Sequence, residues 1–120
     1  VAHAFGRTFQ AKQLPDVPKD VKGYCNADRQ LFDLDAVGPA LKIRAAREGD
    51  RIRPLGLGGS KLVRDYLAEI GVPVWERNRQ AVVEAKGQII WIVGGAVAAD
   101  AAVSDDTKRV FEIRVCDREP

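Results

Sequence analysis

The sequence predicts a small, strand-rich α+β domain with one clear helix packed on an antiparallel or mixed sheet. Three observations carry this. Leu41-Lys42-Ile43-Arg44-Ala45 and Val110 to Val115 alternate apolar and charged residues with the period of two that a half-buried strand requires. Two apolar runs, 81–85 and 88–93, flank Lys86-Gly87, which suits a two-residue hairpin turn. Leu62, Val63, Tyr66, Leu67 and Ile70 recur at helical spacing and are followed by Gly71 and Pro73, which stop a helix.

In chain order, Phe5 to Ala11 reads as a strand. Residues 12–23, with Pro15, Pro18 and several lysines, read as an irregular connection. Leu31 to Asp35 alternates and reads as a short strand ending at Gly38-Pro39. In 41–45, Leu41, Ile43 and Ala45 are expected to face the core, with Lys42 and Arg44 on the outer face. Gly49 to Gly59 reads as a loop. The helix is expected over about 60–70, with the Ser60 hydroxyl as N-cap. Ile89 to Val93 is apolar throughout and expected to be covered on both faces. Residues 94–103, rich in glycine and alanine, give no clear element. Ser104 to Thr107 reads as a single helical turn. In the last strand Phe111, Ile113 and Val115 are expected to face in, and Glu112 and Arg114 out.

A chain of 120 residues is long enough for one domain with a proper core. No apolar run approaches the ~20 residues that span a bilayer, so no membrane partner is expected. The sequence has no methionine and starts at Val1, which reads most simply as a domain cut from a longer polypeptide, with full N-terminal processing as the alternative. Cys25 and Cys116 lie outside any C-x-x-C pattern and are expected to be idle thiols. With His3 they make no metal site at a recognised spacing.

The net charge of +2 is unevenly spread. Residues 42–79 hold nine basic and five acidic side chains, a net of +4, against −2 for the remainder. Such clustering suits an anionic partner on one face. Arg47 to Arg64 packs basic residues, one proline and four glycines into one segment. Where this segment meets the helix, free amides, Gly58, Gly59 and Ser60 suit an anion, with Lys61 and Arg64 in the first helical turn. A solvated turn in which Lys61 pairs with Asp65 is the alternative. Arg51 and Arg53 flank Ile52, and Arg77 and Arg79 flank Asn78. Each pair could project from one face towards phosphates, or could be a surface pair beside Asp50 or Glu76. Trp75 stands beside the second pair, where a tryptophan either stacks on a base or ribose or, more commonly, joins the core.

Catalytic chemistry finds no support. Gly59-Ser60-Lys61-Leu62 breaks the P-loop pattern, and Lys61 stands where G-x-G-x-x-G needs its third glycine. Glu48/Asp50 and Asp105/Asp106 read as solvated or capping carboxylates, and Ser60 has no histidine partner other than the distant His3.

Gly49-Asp50-Arg51-Ile52-Arg53-Pro54-Leu55-Gly56, Gly59-Ser60-Lys61, Arg64-Asp65 and Pro73-Val74-Trp75-Glu76-Arg77-Asn78-Arg79 together resemble the C-terminal domain of bacterial tRNA(Ile)-lysidine synthetase. The runs Gly87 to Gly94 and Thr107 to Ile113 fit as well. The resemblance covers Leu41 to Val115, leaving 1–40 as an N-terminal connection with short strands and 116–120 as a tail. It implies the small α+β fold shared with part of the phenylalanyl-tRNA synthetase β subunit. It implies a non-catalytic module that grips the acceptor stem of an isoleucine tRNA. The parent would be a cytoplasmic ATP-dependent ligase that joins lysine to the wobble cytidine. The family's S-G-G-x-D-S loop is absent here, so ATP and Mg belong to the parent's catalytic domain and no cofactor is expected in this chain. The tRNA-binding residues implied are Arg51, Arg53, Gly58, Gly59, Ser60, Lys61, Arg64, Arg77 and Arg79. Docking of the basic strip on the parent's catalytic domain, without RNA contact, is the alternative. The family has a second lysine where Leu62 stands, and it carries an arginine in the stretch that is here the base-free 95–103.

Overall fold

The computed structural model describes residues 2–117, with side chains from Phe5 to Cys116. His3, to which the sequence assigns no role, therefore has its side chain outside the described residues. The described chain is α+β and almost wholly antiparallel. Strands β1 (Ala2–Ala4), β2 (Arg7–Gln13) and β3 (Arg29–Asp33) join the last strand, β9 (Val110–Asp117), in a four-stranded sheet of order β1-β2-β9-β3. Strands β4 (Leu41–Ala45), β7 (Ala81–Ala85) and β8 (Gln88–Ile92) form a second sheet of order β4-β7-β8. Strands β5 (Arg51–Ile52) and β6 (Lys61–Leu62) form a two-stranded ribbon. Helices α1 (Val21–Tyr24), α2 (Leu34–Val37) and α3 (Val63–Glu69) and a 3-10 helix, Val74–Arg79, complete the chain.

One core joins the two larger sheets. Phe32 of β3 packs against Phe111 of β9, with ring centroids 5.3 Å apart, and against Trp91 of β8, at 6.0 Å. Every residue from Ile89 to Val93 is buried, as its unbroken apolar run requires. The β7–β8 turn is Lys86-Gly87, with φ of 52° and 76°. Both central residues are left-handed, as a type I′ hairpin turn demands. The unassigned stretch 94–103 folds back along β8, through Ile92 N–H to Ala96 O (2.9 Å) and Ala98 N–H to Ile90 O (2.8 Å). It then ties the ribbon to that sheet, through Ala99 N–H to Arg53 O (2.7 Å) and Leu55 N–H to Val97 O (3.0 Å). Gly95 is required there. A Cβ at that position would lie 2.6 Å from the Tyr66 hydroxyl of α3.

Several expectations are corrected. The first long strand runs to Gln13, and α1 occupies part of the expected connection. The third strand stops at Asp33, whose carboxylate accepts from Ala36 N–H (3.1 Å) and caps α2. Ser104 to Thr107 is a turn closed by Thr107 N–H to Ser104 O, not a helical turn. The main helix starts at Val63, not Ser60, because Lys61 and Leu62 are claimed by the ladder with Ile52 and Arg51. It ends as expected. Gly71 (φ 85°) donates to Ala68 O and Val72 to Leu67 O, the paired bonds of a Schellman motif. Ile70, the last of the apolar residues at helical spacing, is exposed beyond the last turn.

Two charged strand residues are not outward-facing. Glu112 is 2% exposed, because β9 is central in its sheet and α1 covers that face. Its carboxylate accepts from the Tyr24 hydroxyl and from Arg114 (3.4 Å), with Lys12 at 3.9 Å. Burial acts to raise its pKa, but the Tyr24 hydroxyl and the nearby cations outweigh this and hold it below the ordinary carboxylate value. Arg44 has a side chain only 10% exposed. Its guanidinium grips Asp50 through two bonds (2.8 and 3.0 Å), and its Nε donates to Glu84 (3.0 Å). Asp50, expected to be a solvated or capping carboxylate, does cap the turn, accepting from Arg47 N–H at 2.7 Å, but it is largely covered.

Two outcomes follow from these networks. Tyr24→Phe removes a charge-assisted bond and should cost about 1–2 kcal/mol at neutral pH. Because the Glu112 pKa is depressed on folding, its stabilisation is complete above the ordinary carboxylate value and lost as pH falls through the lower folded one. Urea unfolding across that window should therefore show the variant's deficit shrinking with acidification. Asp50→Ala leaves Arg44 half-paired in a covered site and should cost about 3 kcal/mol, measurable as a lowered denaturation midpoint with unchanged m-value.

Candidate nucleic-acid interface

The Arg44–Asp50 pair sets the entry to the basic segment. Asp50 N–H donates to Arg47 O (3.1 Å), and Gly49 takes φ of 87° to close the turn. The chain leaves this turn as β5, with Ile52 buried and Arg51 and Arg53 exposed on the opposite side, as the alternation predicts. Arg51 Nε donates to the Ser60 hydroxyl (3.2 Å) across the ribbon. Ser60 therefore holds an arginine and does not cap the helix, whose N-terminus has no side-chain cap bond. The Arg53 side chain has no ion-pair partner among the described residues. With Arg44, Asp50, Gln88 and Asp100, these two arginines line a hollow of about 360 Å³.

Arg64, on the first turn of α3, is 61% exposed and only 3.8 Å from Asp65, a loose surface pair. Arg64 lines a second hollow, of about 330 Å³, with Arg47, Glu48 and Arg77 at its polar edge and the buried Val63 and Leu67 among its lining residues. Arg47 was not among the sequence candidates. The only signal for it was its place at the head of the basic segment.

The remaining candidates are placed differently from expectation. Lys61 belongs to β6, not to the helix, and its ammonium pairs with Glu69 rather than Asp65. Gly58 has φ of 80°, so glycine suits its backbone, while a Cβ on Gly59 would meet open space. Neither glycine lines either hollow. Arg77 and Arg79 lie on the 3-10 helix, not on an extended segment. With three residues per turn, positions two apart point in different directions, so they do not form a forked pair. Arg77 Nε donates to Val72 O (3.0 Å), whereas Arg79 is exposed at the end of the helix. Trp75, which commonly would be core, is 76% exposed. Its flanking polar run, Glu76 to Arg79, was the signal that it had no core to join.

Among the described residues no group of three or more His, Cys, Asp or Glu side chains is placed to hold a metal ion. No helix among them is long and apolar enough to cross a membrane. Both cysteines are free, Cys116 exposed and Cys25 half-buried.

Comparison with known proteins agrees with this architecture. The tRNA(Ile)-lysidine synthase of Clostridium acetobutylicum is 29% identical over 97 residues, covering 81% of this chain and 21% of that protein. That of Clostridium perfringens strain 13 is 35% identical over 82 residues, covering 68% and 17%. The chain thus spans about a fifth of the length of these relatives. A crystal structure of a TilS C-terminal domain superposes with a TM-score of 0.79 at 25% identity, covering 96% of this chain and 87% of that one. An N-terminal fragment of the phenylalanyl-tRNA synthetase β subunit from Pyrococcus horikoshii shares the fold, with a TM-score of 0.67 at 16% identity over 92% and 39% of the two chains. The family model described as the TilS substrate C-terminal domain matches residues 41–115. With the matched segment and the superposed domain in agreement, the chain belongs to the TilS C-terminal domain family.

Proposed function

We infer that this chain is the non-catalytic, tRNA-contacting module of a tRNA(Ile)-lysidine synthetase. The parent would lysylate the wobble cytidine of tRNA(Ile) in the cytoplasm using ATP and Mg in its catalytic domain, and this module would hold the acceptor stem. The observation that carries the reading is the pair Arg51 and Arg53. Both are exposed on one side of a ribbon that is fixed at its base by Arg44–Asp50 and at its end by Ala99. An outward pair of guanidiniums, one of them tethered by the Ser60 hydroxyl, suits the charge of a nucleic-acid backbone. The names of the relatives, and family membership, support the same assignment. Arg64, Arg77 and Arg79 extend the cationic surface. Lys61, engaged by Glu69, contributes less.

A second reading has its own observation. Leu55 and Leu57, 65% and 54% exposed, flank Gly56 at the tip of the loop beyond the arginines. Exposed leucines suit contact with the parent's catalytic domain better than contact with phosphate.

Salt dependence separates the two. The logarithm of the affinity for tRNA should fall linearly with the logarithm of salt concentration, and Arg51→Ala with Arg53→Ala should reduce the magnitude of that slope by about 2. Lys61→Ala should change it less. A slope unchanged by the arginine double variant, with capture of the catalytic domain that survives nuclease treatment, would favour the docking reading.

A further inference from the structure

The exposure of Trp75 is unexplained by the core or by Arg51 and Arg53. Val74 and Trp75, 70% and 76% exposed, open the 3-10 helix directly after Pro73. In a 3-10 helix residues three apart eclipse each other. Val74 therefore stacks above Arg77, and Trp75 above Asn78. Val74, Arg77 and Asn78 all line the second hollow; Trp75 is not itself a lining residue but follows Val74 and stands one turn before Asn78 on the same short helix. Val63 and Leu67, 1% exposed each, are fixed lining residues of that hollow. Three arginines, Arg47, Arg64 and Arg77, border it against one acid, Glu48. Arg77 is held in place through Nε by Val72 O, and its terminal nitrogens have no acceptor among the described residues.

We propose that this hollow takes one unpaired nucleotide of an RNA, with its base stacked on the Trp75 indole and its phosphate held by Arg64 and Arg77. The occupant is chosen by complementarity. An exposed indole offers a flat apolar face, and the surplus of guanidiniums around the hollow calls for an anion beside whatever covers that face. A nucleotide carries both on one unit, and stacking accepts any base. The proposal rests on the RNA-binding reading above and adds to it a subsite for a single-stranded position, distinct from the backbone contacts of Arg51 and Arg53.

The test uses the whole 120-residue chain and three RNA hairpins: blunt, with a short unpaired 3′ extension, and with that extension made abasic. Trp91 is 0% exposed, so any quenching of fluorescence on binding reports Trp75. The extended hairpin should bind about five- to tenfold more tightly than the blunt one and quench the emission. The abasic extension should do neither. Trp75→Ala should abolish the difference while leaving blunt-hairpin affinity and its salt slope intact, and Trp75→Phe should keep part of it. Equal binding of the extended and blunt hairpins by the wild type would overturn the proposal, as would a preference that persists in Trp75→Ala. Self-association of the chain that Trp75→Ala removes would overturn it in favour of a protein contact. If the blunt hairpin still binds with a salt slope in those cases, only the nucleotide subsite fails. If no hairpin binds, the RNA reading fails with it.

Discussion

Asp50 receives two bonds from the Arg44 guanidinium and one from the Arg47 amide, while its own amide closes the same turn. This cluster fixes where the chain leaves β4 and where β5 begins. Its position determines that Ile52 enters the core and that Arg51 and Arg53 do not. The carbonyl of Asp50 also accepts from Val63 N–H (2.9 Å), the first residue of α3. One residue, through its carboxylate, amide and carbonyl, thus aligns a strand end, a turn, a ribbon and a helix start. An ion pair with so little solvent contributes modest net stability, because desolvation offsets much of its attraction, but breaking one partner leaves a covered charge. Its value here is geometric.

The surface built on this frame sorts its cations by what already holds them. Lys61 is satisfied by Glu69, and Arg44 by Asp50 and Glu84. Arg51 is steadied by a neutral hydroxyl and Arg77 by a carbonyl, so each keeps its full charge for a partner. Tethering by a neutral acceptor lowers the entropy cost of binding without neutralising the group. This distinction, more than the count of basic residues, separates arginines suited to an anion from those that serve the fold. It also places the cations around two hollows, one bordered by the ribbon and the other by α3 and the 3-10 helix.

Much of this was legible in the chain. The strands at 41–45 and 110–115, the Lys86-Gly87 turn and the Gly71 stop each reflect a local rule acting within a few residues, and each element is present, although Leu41, Ile43 and Ala45, expected in the core, are only half-buried. The same period rule misplaced Arg44 and Glu112. It distinguishes the two sides of a strand but not which side a distant segment will cover. The 46–51 turn covers Arg44, and α1 covers Glu112, bringing Asp50 and Tyr24 as partners. Ser60 looked like an N-cap because its local chemistry fits one, but the ladder with β5 claimed Lys61 and Leu62 and moved the helix start to Val63.

By itself, then, the sequence determined the α+β class, the hairpin, the helix stop, the alternating Arg51-Ile52-Arg53 and the resemblance that located the family. These depend on turn chemistry, periodicity and residue order, all properties of neighbours along the chain. Tertiary structure alone decided which charges are spent on ion pairs, that Arg77 and Arg79 diverge on a 3-10 helix, and that Trp75 stands in solvent on the helix whose Val74, Arg77 and Asn78 line a cationic hollow. Those outcomes depend on which segments, dozens of residues apart, come to lie against one another, and no local pattern encodes that.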